Sequence, residues 1–270
     1  MKGKLLKGTL VVLLASIIST LGIFASDVLQ GKNVQFAGLL GGNDAGVCAE
    51  GMVPFSSTHG ILCVDMYESS PSTDCPFEQP KNALDSEANV SDQKCYAASV
   101  SSKLPWSYIS LPQAQQMCAH SGKRIPTASE WYRIALGTRT GNCVTSAESP
   151  QNTGSSKECL ASSGAFDMIG NMWEWVDETV VNNTFEGRSF PEEGYITSVD
   201  SNGVAITSGK NPDPLYDLDY VWTKSDGVFG MIRGGFYGSE TDAGVYAMNA
   251  SVPTSFSSQG VGFRCVEDVI

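Results

Sequence analysis

The chain has 270 residues, 41% hydrophobic and 17% charged, enough to bury one large core or two small ones. It carries 17 Lys and Arg against 29 Asp and Glu, a formal net charge of −12. Such acidity excludes nucleic acid as a partner, because phosphate binding needs a basic face that releases counterions, and it is read as a solvated surface rather than an acidic recognition patch.

Residues 1–25 hold Lys2, Lys4 and Lys7, no acid, and an apolar run ending at Ala25, the layout of an export signal. Two outcomes stay open: cleavage after Ala25, or retention as an N-terminal membrane anchor. Either places the body of the protein outside the cytoplasm, extracellular or at the cell surface. With the leader gone, 14 basic residues face 29 acidic ones, a charge of about −15. Residues 26–47, with "GLLGGNDAGV", read as a flexible spacer, and a single domain is expected over 48–270.

Eight cysteines all come after the leader, an even count that in an exported chain predicts four disulfides. A zinc site is disfavoured, since there is no Cys-x-x-Cys pair and the only histidines are His59 and His120. Two helices are well punctuated. In "SLPQAQQMCAHSG" Ser110 and Gln113 form a capping box and Gly122 a stop, and in "TASEWYRIALG" Thr127 and Glu130 repeat the box and Gly137 ends it. His120 falls in the last turn of the first helix, where a structural role is expected, and His59 is expected in a loop.

Beyond Val176 the pattern changes to short strands and turns. Asn202-Gly203 marks a hairpin tip, and the polar stretch from Glu178 to Gly230 is expected to be a surface excursion with at most that hairpin. Within it Asp213, Asp217 and Asp219 fit no EF-hand spacing and read as a hydrated loop.

Four segments occur together and in order: "GKRIPTASEWYRIALG" (122–137), "GAFDMIGNMWEW" (164–175), "IRGGFYG" (232–238) and "GVGFRCV" (260–266). Through them the chain resembles the formylglycine-generating-enzyme family, also called the sulfatase-modifying-factor domain, over about 48–270. The resemblance implies an α+β, C-type lectin-like fold: two short helices, small antiparallel sheets and much irregular chain. It implies a Cys118–Cys265 disulfide, and proximity then suggests Cys143 with Cys159, Cys75 with Cys95 and Cys48 with Cys63. It also implies structural calcium at Asp167, Gly170, Met172 and Glu174, where two carboxylates and turn carbonyls offer hard oxygen ligands. The alternative is that Asp167 and Glu174 only hydrogen-bond nearby backbone. Trp173 and Trp175 are expected in the core.

The family's enzymes oxidise a sulfatase cysteine with copper held by two cysteines, and the matching positions here are Ser239 and Gly244. Cu(I) is soft and needs thiolates, so copper is not expected and the activity does not transfer. No Gly-x-Ser-x-Gly, His-Glu-x-x-His, histidine cluster or paired catalytic acids stands in their place. The segment after Arg-Gly-Gly bears hydroxyls, carboxylates, an amide and aromatic rings: Phe236, Tyr237, Ser239, Glu240, Thr241, Asp242, Tyr246 and Asn249. The expected role is ligand binding, to a protein or a glycan, through 236–259, a composition similar to that of the variable proteins of diversity-generating retroelements. The competing expectation is an enzyme acting on a protein substrate, of the formylglycine-generating type or another.

Overall fold

A computed structural model describes residues 47–57 and 60–269 of the chain. The leader over 1–25, the spacer apart from Val47, and His59 lie outside them. Strands β1 (Met52–Ser57) and β2 (Gly60–Asp65) form a hairpin, and β3 (Ser69–Pro71) pairs with β4 (Ala97–Ser99) across an intervening helix, α1 (Ala83–Ser91). Helices α2 (Leu111–His120) and α3 (Ala128–Ala135) come next, each opened by the capping box read from the sequence. In α3 the Thr127 hydroxyl accepts the Glu130 N–H at 3.2 Å while the Glu130 carboxylate accepts that of Thr127 at 2.9 Å. Gly122 and Gly137 sit beyond the two helices at φ of 75° and 87°, a backbone that favours glycine.

Helix α1 adds a third helix to the two that the sequence punctuates. Asn82 caps it by accepting the N–H groups of Leu84 and Asp85, but its buried face is only Ser86, Asn89 and Val90, so no apolar period announces it.

The stretch from Glu178 to Gly230 also departs from expectation. After β5 (Trp173–Val181) come β6 (Thr184–Phe185), β7 (Arg188–Ser189), β8 (Gly194–Val199), β9 (Ala205–Gly209) and β10 (Tyr220–Thr223), then β11 (Val228–Arg233). With β12 (Met248–Val252) and β13 (Val261–Gly262) these build a nine-stranded sheet in the order β7-β6-β5-β11-β12-β10-β8-β9, β13 lying against β5. The stretch is no surface excursion: Phe185, Phe190, Ile196, Val204 and Val221 are all buried in the core. The hairpin does form at Asn202-Gly203, between β8 and β9. The sheet is larger than the small sheets expected, and β10–β12 and β13–β5 are parallel within an otherwise antiparallel ladder.

Strand alternation puts a core on each side of this sheet. One joins Trp131 and Ile134 of α3 to Val176, Met231, Met248 and Val221; the other joins Met117 of α2 to Trp106, Trp175, Ile232 and Phe263. Strand β14 (Val266–Asp268) returns to β2, and the Cys118–Cys265 disulfide ties α2 to the residue before it. Cys48–Cys63, Cys75–Cys95 and Cys143–Cys159 complete the four expected pairings. Four disulfides fit an exported protein, and no helix among the described residues is long and apolar enough to cross a membrane.

Candidate functional site

Strand β11 ends at Arg233, and the chain turns through Gly234 and Gly235 at φ of 93° and 84°. A side chain at Gly234 would run into the carbonyl of Met168 at 2.7 Å and the Trp131 ring at 2.9 Å, so the turn is sealed against the core. Arg233 is wholly buried, stacks 5.2 Å above Trp131 and donates from Nη2 to the carbonyls of Gly203 and Val245, both at 3.0 Å. Burial lowers its pKa to about 10.

The two copper-equivalent positions are both committed to structure. Ser239 accepts the Phe236 N–H at 3.0 Å and closes the turn. Gly244 lies against the carboxylate of Asp219, whose Oδ2 accepts the N–H groups of Tyr246 at 2.8 Å and Ala247 at 3.1 Å. Asp219 is therefore a buried organiser of this loop and not part of a hydrated one, and burial pushes its pKa up to about 8. Asp213 instead accepts the Leu215 N–H beside it. All eight cysteines are in disulfides, leaving no thiolate for a soft metal.

The expected binding residues divide. Phe236, Tyr237 and Asn249 line an open cavity of about 320 Å³ together with Trp173, Val252 and Phe256. Trp173, read as core, is 7% exposed and serves both: it packs in the second core and walls this cavity. Glu240, Thr241 and Asp242 form a single 3-10 turn beyond Ser239, at the surface. Tyr246 is not brought to the cavity, because it packs on Tyr132 and Tyr216 at 5.8 and 5.5 Å, against the opposite core. Sequence reasoning misses Trp222, which lies opposite Asn249 in the β10–β12 register and edge-on to Trp173 at 5.6 Å. The alternation Tyr220-Val221-Trp222, with only Val221 buried, is the signal that could have found it.

Asp167, Gly170 and Met172 share one turn, with Asp167 at φ 56° and Gly170 at φ 70°, and Glu174 follows it as the second residue of β5. Their chemistry is that of an internal ion network. Glu174 is buried with both carboxylate oxygens taken by the Arg264 guanidinium at 2.6–3.0 Å, and Trp131 Nε1 donates to the same group at 2.7 Å. Asp167 accepts the Gly154 N–H at 2.6 Å, and burial pushes its pKa up to about 6. Glu68, fully buried alongside, accepts the Met172 N–H at 3.1 Å; burial first, then the charges of Asp167 and Glu174, raise its pKa well above the carboxylate range. A calcium ion needs Glu174 oxygens that already face a guanidinium, so the residues as arranged do not fit it. Among the described residues no three acidic, His or Cys side chains converge on a metal position. The Nδ1 of His120 lies 3.1 Å from the Cys95 carbonyl, which commits the ring to structure as its place in α2 suggests.

Fold and site together define a C-type lectin-like scaffold with an open, aromatic-lined cavity where a metal-thiolate centre would otherwise be sought. The chain belongs to the family of the sulfatase-modifying factor enzyme 1-like domain, whose model matches residues 78–269. Comparison with curated proteins returns no match. Among solved structures, the Major Tropism Determinant I1 variant is similar at 16% identity and a TM-score of 0.46, over 83% of this chain and 54% of that one. Treponema denticola variable protein 1 is similar at 11% and 0.43, over 77% and 84%. PvdO from Pseudomonas aeruginosa stands at 13% and 0.39, over 77% and 80%. This chain spans about half the length of the first of these structures, and no function is taken from any of them.

Proposed function

We propose that the protein is an exported, extracellular binding module that holds a protein or glycan ligand at the cavity formed by Phe236, Tyr237, Asn249 and Trp173, and that it is not a formylglycine-forming oxidoreductase. The observation that carries this is the pairing of an open aromatic cavity with Ser239 and Gly244 locked into the loop beside it. Aromatic rings give contact area at low entropic cost, and Asn249 and the 239–242 turn offer directional hydrogen bonds around them. The role as a variable protein of a diversity-generating retroelement belongs to the same reading: it requires a reverse transcriptase gene and a near-copy of the coding DNA for 236–259 nearby.

The test is a binding screen of the full protein against arrayed cell-surface proteins and glycans, run beside Phe236→Ala and Tyr237→Ala. Saturable binding weakened by both substitutions is expected. Ligands bound equally by the wild type and both variants place the site elsewhere. Copper-dependent conversion of a cysteine peptide to its formylglycine form would reinstate the enzyme.

A further inference from the structure

The cavity is one end of a longer aromatic row. From Trp173 the rings continue to Trp222 at 5.6 Å, to Tyr220 at 4.8 Å and to Tyr195 at 5.1 Å, crossing the sheet from β5 to β10 and β8. Trp222, Tyr220 and Tyr195 are all partly exposed, and they alternate with the buried Val221 and Ile196, so they share the face opposite the first core. Large aromatics in such a partly exposed row are the residues that dominate protein interfaces.

Acids outnumber bases around the row. No Lys, Arg or His occurs between Gly234 and Phe263 or between Asn211 and Thr223; Lys210 and Lys224 bound the second segment, and Lys224 lies over the Phe229 ring at 5.7 Å. Glu193 reaches to 3.5 Å from the Tyr220 hydroxyl. Burial first, and then the negative charge of Glu193, hold the Tyr220 phenol above its ordinary pKa. Indole and phenol faces attract cations, a flanking carboxylate adds to that attraction, and both disfavour phosphate, sulfate or acidic sugars.

We infer that the face Tyr195–Tyr220–Trp222–Trp173 docks a cationic segment of a protein partner, with an arginine or lysine side chain seated on Tyr220 and Trp222 beside Glu193. This rests on the binding role proposed above and names the chemistry of its ligand.

The test uses a capped nine-residue peptide carrying three arginines spaced by glycine and serine, and its analogue with three citrullines, which keeps shape and hydrogen bonding but removes charge. Each is titrated into the full protein and read by tryptophan fluorescence and calorimetry at low and moderate salt. The arginine peptide is expected to bind about tenfold tighter than the citrulline one, Trp222→Ala and Tyr220→Ala each to weaken it about fivefold, and Glu193→Gln to flatten its salt dependence. Leu136→Ser, exposed at the end of α3 on the opposite side of the sheet, controls for surface changes, and circular dichroism confirms folding of each variant. Equal binding of the two peptides, or full binding by Trp222→Ala, overturns the inference. A ligand from the wider screen that needs Phe236 but is indifferent to Trp222 and to charge overturns it while leaving the binding role standing; loss of all ligands removes both.

Discussion

The tightest constraint at the site is the contact of Gly244 with Asp219, and Gly244→Ala measures it. A methyl group there overlaps both oxygens of the Asp219 carboxylate. The carboxylate cannot retreat freely, because Tyr246 and Ala247 hold its Oδ2 at 2.8 and 3.1 Å. Losing those two hydrogen bonds costs about 1 kcal/mol each, and the residual overpacking about 1–2 kcal/mol more, so destabilisation of about 3–4 kcal/mol is expected. Urea unfolding followed by tryptophan fluorescence reads it as a lowered midpoint at unchanged slope. Repeating the substitution in an Asp219→Ala background, where the methyl has room, should reduce its cost below about 1 kcal/mol. A cost under about 0.5 kcal/mol with Asp219 present, or the same cost in both backgrounds, refutes the reasoning. By the same contact, installing Ser239→Cys and Gly244→Cys together should not create a Cu(I) site that survives a chelator, because the second thiol meets a carboxylate.

Three further outcomes concern the buried charges and the cross-link. Asp167, Glu178 and Asp219 are raised by burial to about 6, 7 and 8, so the native state holds protons that the unfolded chain releases above about pH 4. Their contribution is fully present below that pH and is lost as pH climbs through 6 to 8; stability should therefore fall between about pH 5 and about pH 8.5, and Asp219→Asn should flatten the fall. A stability that rises across that range instead would show these carboxylates ionised in the fold. Replacing Cys118 and Cys265 together by Ala opens a loop of 147 residues, worth about 5 kcal/mol in the chain-entropy model, and a thermal-midpoint change of only a degree or two would mean the ends are held otherwise. Because Glu174 is saturated by Arg264 and Trp131, EDTA should move the unfolding midpoint by less than about 1 °C; a drop of several degrees restored by added calcium would show that the turn opens to take the ion.

Sequence carries those parts of the fold where a local or covalent requirement leaves a residue-level mark. The Ser110–Gln113 and Thr127–Glu130 boxes, the stops at Gly122 and Gly137 and the Asn202-Gly203 tip are each complete within a few residues, and all are present. The strands between Glu178 and Gly230 are hidden because each is two to six residues long and buries at most one or two side chains, too few to show a period among polar and glycine neighbours. Helix α1 is hidden because its inward face is polar: Asn89 bonds the backbone of Phe77, and Ser86 that of Ser107. The partners that decide the chemistry lie beyond sequence reach. Arg264 meets Glu174 across 90 positions, and Asp219 reaches Gly244 across two strands and a turn.

That distance between partners changes what the two copper-equivalent positions mean. Taken alone, a serine and a glycine there are two missing sulfurs. In the fold they are components of a different arrangement: Ser239 closes the turn through Phe236, and Gly244 makes room for a carboxylate that orders Tyr246 and Ala247. Ala247 leads directly into β12, and β12 sets Asn249 opposite Trp222. The chain that could have held a metal thus fixes the register of the strand that carries the polar edge of the aromatic face, so that the loop's rigidity serves the geometry of a binding surface.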